Sequence, residues 1–352
     1  MHASTLLVYG ATGYTGRLLV EAARASGIEP IVAARDEAAL ERLASGWRLP
    51  ARTVRLDEPV ALRSALTDVD VVIHAAGPFS HTWSPMVDAC LATRTHYLDV
   101  TGEMSVIEAI AARDGDARRA GVMLMPAVGF DVVPSDALAA HVARRMPDAS
   151  HLSIAVSGLV SASRGSMKTL VEQAGAPACT RRGGRLAASR SGVASRRFDF
   201  GDGPRDSVAV SWGDVASAWY TTGIPNIDVC FEATAIHRAM VLSNRLYGWA
   251  FVTPWARAWM QWVSDRLPPG PTAEERECNE TTIVAIAEND RGQRAEARLH
   301  GPEAYRFTSI AATAIARRVL AGDWARGFHT PGRAYGPDFV LGLPDVTRVD
   351  VD

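Results

Sequence analysis

The stretch TLLVYGATGYTG at residues 5–16 decides the fold of this chain. Thr5–Tyr9 is a short apolar run that predicts a buried parallel strand, and apolar residues recur at helical spacing after Thr15. Between strand and helix, Gly10, Gly13 and Gly16 form the pattern G-x-x-G-x-x-G. Glycine lets the backbone approach a pyrophosphate, and the helix N-terminus offers it free N–H groups. The stretch therefore predicts a dinucleotide-binding site.

Strands and helices continue to alternate as far as residue 130. The further predicted strands are short and apolar: Pro30–Ala34, Arg52–Leu56, Asp70–Ala76, His96–Val100 and Val122–Val128. This rhythm predicts an α/β protein with an N-terminal Rossmann domain, a doubly wound parallel sheet. Ligands bind such sheets at the carboxyl ends of the strands. Polar or glycine-rich turns occur at three of these ends, at residues 77–80, 101–103 and 129–136.

A different pattern begins after residue 131. His151–Leu159 alternates with a period of two, and Thr281–Glu288 and Arg294–His300 flank a hairpin turn. Thr180–Arg197 is predicted as a loop or an irregular strand pair. We therefore expect a second α+β domain on a mainly antiparallel sheet. The predicted bounds are 1–130 for the Rossmann domain, 131–302 for the substrate and dimerisation domain, and 303–352 for a C-terminal helix and closing loop that pack back on the Rossmann domain.

Composition describes an ordinary globular protein of 352 residues, with a formal charge of −2 and 22% charged residues. This balance argues against nucleic acid as a partner. Lys168 is the only lysine, and the four cysteines are far apart. Neither the cysteines nor any other cluster has metal-ligand spacing. With no apparent leader and no long apolar run, we expect a cytoplasmic protein.

The end of the second predicted strand indicates which dinucleotide binds. An NAD site usually carries an acidic residue there, whereas this chain has Arg35, followed by Asp36. A guanidinium at this point can pair with a 2′-phosphate, which favours NADP(H). The predicted cofactor-binding residues are Gly10, Ala11, Thr12, Gly13, Tyr14, Thr15, Gly16, Arg35, Asp57, Ala76, Gly77, Pro78, Phe79, Thr101 and Gly102.

One segment, Leu246–Val263, holds four of the nine tryptophans. Trp255, Trp259 and Trp262 would share one face of a helix that begins near Pro254. Three interpretations stay open: a buried core or dimer face, the wall of a pocket for an apolar substrate, or an interfacial helix in peripheral contact with a membrane.

Taken together, the motifs resemble the saccharopine dehydrogenase-like oxidoreductases, in particular short bacterial members related to trans-acting enoyl reductases. The motifs that carry the resemblance are GATGYTG at 10–16, VAARD at 32–36, HAAGPFS at 74–80, THYLDVTGE at 95–103, GFDVVPSD at 129–136 and GFHTPGRAYG at 327–336. The resemblance implies an NADP-binding Rossmann domain, and a second domain that provides the substrate cleft and often a dimer face, so a homodimer is expected.

Hydride transfer requires a proton donor beside the substrate. The catalytic candidates are Lys168, His81 and Asp131, and further proton-handling candidates are Asp99, Glu103, Asp136 and Tyr335. Asp136 could instead cap a helix that begins near Ala137. The predicted function is an NADPH-dependent oxidoreductase acting on a C=O, C=N or C=C acceptor of a small or lipid- or polyketide-linked substrate. The alternative is a non-catalytic NADP(H)-binding sensor or scaffold.

Overall fold

The computed structural model describes residues 4–160, 162–173, 178–189, 196–251 and 253–351. Its N-terminal part alternates strands and helices. In chain order these are β1 Leu6–Tyr9, α1 Tyr14–Ala25, β2 Ile31–Ala34, α2 Glu37–Trp47, β3 Ala51–Thr53, α3 Pro59–Leu66, β4 Val71–His74, α4 Phe79–Thr93, β5 His96–Asp99, α5 Met104–Ala111, α6 Asp114–Ala120, β6 Met123–Met125 and α7 Val133–Arg145.

A mixture of longer strands and helices follows. Its elements are β7 His151–Ser157, α8 Arg164–Gln173, β8 Ala178–Arg182, β9 Arg185–Ser189, β10 Arg196–Asp199, β11 Pro204–Ala209, α9 Asp214–Thr222, β12 Asn226–Glu232, α10 Ala235–Phe251, α11 Pro254–Ser264, α12 Ala273–Cys278, β13 Glu280–Glu288 and β14 Arg294–Pro302. The last elements are α13 Ala304–Leu320, β15 Gly327–Phe328, α14 Pro331–Tyr335, a 3-10 turn at Phe339–Gly342, and β16 Thr347–Val351.

The first sheet is parallel, in the order β15-β6-β5-β4-β1-β2-β3. Along β1, Leu6 and Val8 enter one hydrophobic core, whereas Leu7 and Tyr9 enter another. Side chains of a strand point alternately to opposite faces, so β1 is covered on both sides. The predicted Rossmann sheet is confirmed.

The second sheet has the order β10-β11-β12-β7-β13-β14-β16, with β8 and β9 attached beside β12. Its described strands pair antiparallel, apart from β7 with β12. The predicted mainly antiparallel sheet is therefore confirmed. Residues 152–157 of β7 are all buried, although period-two alternation predicts only one buried face. The strand is central and has cores on both sides, which small residues such as Ala155 permit.

Several local predictions need correction. Residues 213–225 contain α9, a helix that the sequence analysis did not predict, and its Val215, Ala216 and Ala218 are buried. Thr180–Arg197 includes the hairpin β8–β9, with Gly183 and Gly184 at positive φ in its turn; residues 190–195 lie outside the described part. The third strand is Ala51–Thr53 rather than Arg52–Leu56. Tertiary packing decides these short segments, which carry weak periodicity.

The C-terminal segment contributes to both sheets. Helix α13 packs beside α1 over the first sheet, and β15 becomes the outermost strand of that sheet. Strand β16 pairs with β14 at the edge of the second sheet. Neither β15 nor β16 was predicted from the sequence, because two-residue and half-exposed strands carry little pattern.

Within the described ranges, no helix has both the length and the apolar character that crossing a membrane would require.

Candidate functional site

The glycine loop between β1 and α1 is built by close backbone approach. Gly10 has a φ of +84°, and a Cβ there would lie 2.9 Å from the backbone of Ala75 and Ala76. At Gly16 a Cβ would overlap the carbonyl oxygen of Gly10, so only glycine lets α1 pack this closely on the loop. Ala11 is buried, which limits its role to its backbone.

The N-terminus of α1 is open. Its N-cap, Gly13, has no capping side chain, and no acidic residue stands in the first turn. The free N–H groups and the positive end of the helix dipole therefore face outward at Gly13, where a phosphate would be favoured. These features fit the pyrophosphate of a dinucleotide.

Tyr14, the first residue of α1, connects this loop to the second domain. Its hydroxyl donates to the Pro271 carbonyl oxygen at 2.6 Å and accepts from Arg276 at 2.8 Å. Its ring lies edge-on to Tyr305, with centroids 5.2 Å apart. The Tyr14 side chain thus fixes the position of the second domain beside the glycine loop.

The end of β2 presents an exposed cation. Arg35 is exposed, whereas Asp36 caps α2 by accepting from the Ala39 N–H at 2.9 Å. Asp57 forms two hydrogen bonds with Arg55, at 2.9 and 2.8 Å. Because Asp36 and Asp57 already have partners, the guanidinium of Arg35 is available to an anion. Arg55, which sequence reasoning did not select, lies near the same surface.

Two buried carboxylates hold the turns at the carboxyl edge. Glu103 accepts from the N–H groups of Phe79 and Ser80, at 2.7 and 2.9 Å, and so ties the turn after β4 to the turn after β5. Asp99 accepts from the N–H groups of Thr101 and Ala127, at 2.9 and 2.7 Å. Both carboxyl groups therefore act as anchors of backbone.

Burial affects the ionisation of these two anchors. It raises the pKa of Asp99 to about 6 and moves the pKa of Glu103 upward as well. The backbone N–H groups oppose this rise, since they stabilise the charged form.

Asp131, in the turn after β6, is the candidate with the properties of a proton donor. It is partly exposed and packs against Gly102, where a Cβ would lie 2.9 Å from its Cγ. Burial raises the pKa of Asp131 to about 7. A carboxyl group with this pKa exists in both protonation states at neutral pH, which is suited to general acid catalysis.

Asp136 and Asp214 lie near Asp131 but are fully buried. Asp136 accepts from the Gly332 N–H at 2.7 Å, so its predicted role as a helix cap is wrong: α7 already begins at Val133. Burial raises the pKa of Asp136 to about 6. The pKa of Asp214 is raised well above its usual range by burial and by the charges of the other two carboxyls. Asp214 could not be selected from the sequence, because α9 was not predicted.

The other candidates lie on the periphery of the site. Lys168, on α8, forms an ion pair with Asp265 at 2.8 Å. His81 is largely exposed and lies 3.3 Å from Glu172, also on α8. Tyr335 donates its hydroxyl to the Asp323 carbonyl oxygen. Lys168 thus lies on α8, and His81 contacts the same helix through Glu172. The Lys168 ammonium already has a partner in Asp265.

Tyr305 is a site residue that sequence reasoning missed. It is the second residue of α13, and its hydroxyl accepts from the Ser163 N–H at 2.6 Å and pairs with the Ser166 hydroxyl at 2.8 Å. Asp131 is close enough to act on its ionisation, and burial raises the pKa of Tyr305. Only the tertiary return of α13 to the first sheet brings this side chain to the site.

Within the described ranges, no three side chains of His, Cys, Asp or Glu are grouped so that they could hold a metal ion.

This geometry defines a Rossmann-type dinucleotide-binding domain joined to an α+β domain. Residues 6–125 match the family described as the saccharopine dehydrogenase NADP binding domain. Residues 6–125 are therefore similar to this NADP-binding domain, as the motifs of this part of the chain predicted.

Two solved structures share the fold over nearly the whole chain. The saccharopine dehydrogenase (L-Glu forming) of Saccharomyces cerevisiae aligns with a TM-score of 0.64 and 12% identity, over 99% of this chain and 100% of that one. The homospermidine synthase of Legionella pneumophila, in complex with NAD, aligns with a TM-score of 0.67 and 9% identity, over 99% and 92%. At such identities the likeness concerns the fold alone.

Curated relatives carry the name trans-acting enoyl reductase. One from Mycobacterium ulcerans is 30% identical over 165 residues, 44% of this chain and 39% of the relative. Another, from Mycobacterium tuberculosis, is 34% identical over 143 residues, 37% of this chain and 33% of the relative. The similarity thus spans well under half of the length of these relatives.

Proposed function

We propose that this chain is an NADPH-dependent reductase that acts on a C=C bond conjugated to a carbonyl, in an acyl- or lipid-linked substrate. The observation that carries the proposal is Asp131, a partly exposed carboxyl with a pKa of about 7 at the edge of an NADP-binding domain. Among C=O, C=N and C=C acceptors, we favour C=C because the curated relatives are named enoyl reductases.

The reaction adds one hydride and one proton across the double bond. Bound NADPH would supply the hydride, to the carbon β to the carbonyl. Asp131 would donate the proton to the α carbon and take one back from solvent after product release. The absence of a side chain at Gly102 makes room for the Asp131 carboxyl, while Asp99 and Glu103 hold the flanking turns in place.

The direct test is turnover. Purified protein with NADPH is offered panels of enoyl thioesters, ketones and imines, and loss of the absorbance of reduced nicotinamide is followed. We expect oxidation with an enoyl thioester. Tight NADPH binding without turnover on any panel would contradict the proposal and favour an NADP(H)-binding sensor or scaffold.

The second test concerns the cofactor. Arg35→Ala should weaken NADPH binding by about 10- to 100-fold and NADH binding much less, because a charge-assisted hydrogen bond contributes about 1.5–3 kcal/mol. Calorimetric titration of both cofactors measures the difference. Arg42→Ala, on the exposed face of α2, is the matched control and should change neither affinity. Equal losses for NADPH and NADH would show that Arg35 does not bind the 2′-phosphate.

A further inference from the structure

Helices α10 and α11 present a large apolar surface to solvent. The exposed fractions are 76% for Trp249, 71% for Trp255, 61% for Trp259 and 53% for Trp262. Leu242, Leu246 and Tyr247 are also more than half exposed. We call these seven residues the tryptophan face. Their exposure shows that the buried-core interpretation of this segment is wrong for the chain on its own.

Both helices point an ordered apolar stripe outward. On α11, Trp255, Trp259 and Trp262 follow the spacing i, i+4, i+7, while Ala256 and Ser264 are buried on the inner side. On α10 the same spacing joins the exposed residues 242, 246 and 249. Scattered exposed apolar residues are common, but a contiguous patch of this kind marks an interaction surface.

The segment that carries the tryptophan face is basic in sequence, although its Arg238 pairs with Asp206 at 2.9 Å and Asp265 follows it directly. Residues 233–264 include three arginines, Arg238, Arg245 and Arg257, and neither Asp nor Glu. Arg266 is exposed, and its guanidinium carbon lies 3.5 Å from the centroid of the Trp262 ring. Aromatic and aliphatic side chains flanked by arginine are the composition that binds at the interface of an anionic membrane.

A second copy of the chain fits this face less well. A symmetric dimer brings the same patch of both subunits together, so arginine would face arginine without an acidic partner from residues 233–264. Such juxtaposition of like charges opposes association. An anionic lipid surface instead offers apolar acyl chains to the tryptophans and negative charge to the arginines.

The helix α11, which carries part of the tryptophan face, is linked to α8 and to the glycine loop of the candidate site. The residue after the C-terminus of α11, Asp265, pairs with Lys168 on α8, and Glu172 of α8 accepts from the Ser80 hydroxyl at 2.8 Å. The loop that follows α11 reaches the glycine loop, where the Pro271 carbonyl oxygen accepts from Tyr14. Contact with a membrane would therefore place lipid near α8 and near the loop that contacts Tyr14.

We propose that the tryptophan face docks this protein on an anionic phospholipid surface. The tryptophans insert at the level of the headgroups, and Arg266, which stacks on Trp262, contacts lipid phosphates. The role is peripheral attachment, and it concerns residues outside the nucleotide-binding and proton-donating parts of the site.

Vesicle binding tests this proposal with the full chain and without cofactor or substrate, so its outcome is independent of the proposed reaction. We expect cosedimentation with vesicles containing phosphatidylglycerol, much weaker binding to pure phosphatidylcholine, and quenching of tryptophan fluorescence by brominated acyl chains. Added salt should weaken binding, since exposed charges are screened.

Variants locate the surface. Combined Trp255→Ser, Trp259→Ser and Trp262→Ser should abolish binding. Arg266→Glu should reduce binding about tenfold or more, since each cation near an anionic surface contributes about 1 kcal/mol. The matched controls, Val60→Ser and Arg63→Glu on the exposed face of α3, should bind as the unchanged protein does. Unchanged NADPH affinity verifies that the tryptophan variants are folded.

Three outcomes would overturn the proposal: no binding to anionic vesicles, binding that survives the triple substitution, or a dimer in sedimentation velocity that the triple substitution dissociates. The last of these would assign the tryptophan face to a second copy of the chain.

Discussion

Gly16→Ala is expected to lower the affinity for NADPH by about a hundredfold or more. The added methyl group would overlap the Gly10 carbonyl oxygen, which belongs to the backbone and cannot rotate away. Either α1 moves off the sheet or the glycine loop changes shape, and both displace the N–H groups at Gly13. Overpacking costs about 1–3 kcal/mol, and the upper value corresponds to roughly a hundredfold in Kd.

The matched control is Gly46→Ala, near the end of α2. A Cβ at Gly46 meets no atom within 4 Å. Because alanine is favoured over glycine in a helix by about 1 kcal/mol, this variant should keep its NADPH affinity and melt slightly higher. Calorimetry and thermal unfolding measure both. Normal NADPH binding by Gly16→Ala would show that close packing at this position is not required for the cofactor.

Asp131→Asn is expected to lower turnover by about 10²- to 10⁴-fold with little change in NADPH affinity, since general acid catalysis contributes that much. In the unchanged protein the rate should fall as the pH rises through about 7, where Asp131 loses its proton. The residual rate of the variant should be independent of pH in this range. A pH–rate profile for both proteins is the measurement, and an unchanged profile in the variant would exclude Asp131 as the donor.

Although Asp131→Asn is expected to lower the rate, it should raise the free energy of unfolding at high pH. Burial raises the pKa of Asp131 from its ordinary value to about 7, so the folded chain holds the proton more tightly than the unfolded chain does. The stability contribution is thus greatest at low pH and is lost as the pH rises towards 7. On the alkaline side of 7, Asp131→Asn should be the more stable protein, by up to about 4 kcal/mol.

Asp136→Asn provides the comparison for both measurements. Asp136 is also buried and its pKa is also raised, to about 6, but its carboxyl is bonded to the Gly332 N–H within the fold. This variant should change the pH dependence of unfolding while leaving the pH dependence of the rate as it was. A pH–rate profile altered equally by both substitutions would indicate a structural effect.

Local signals explain what could be predicted from the sequence. The alternation of strand and helix and the three glycines of the loop are contained in short stretches, and the Rossmann domain followed from them. Arg35 was selected from its place at the end of β2 alone, and its role in binding the cofactor stays a prediction. Asp131 was selected because a turn after a parallel strand lies at the ligand-binding edge.

The remaining features depend on contacts distant in sequence. Tyr305 reaches the site only because α13 returns to the first sheet, and Asp214 only because α9 packs beside α7. Asp265, the partner of Lys168, follows it 97 positions later in the chain. For the tryptophan segment, helical spacing identified the shared face, but spacing alone does not tell an inward face from an outward one.

Strands β15 and β16 have a consequence for how the protein is made. Each is the outermost strand of a different sheet. Both strands are synthesised after the first 320 residues of this sequence. Until then β6 and β14 keep unpaired edges, which can attach to other nascent chains. Both sheets are thus completed only late in synthesis. A chain that ends after α13 would therefore expose an unpaired edge strand in each of the two sheets.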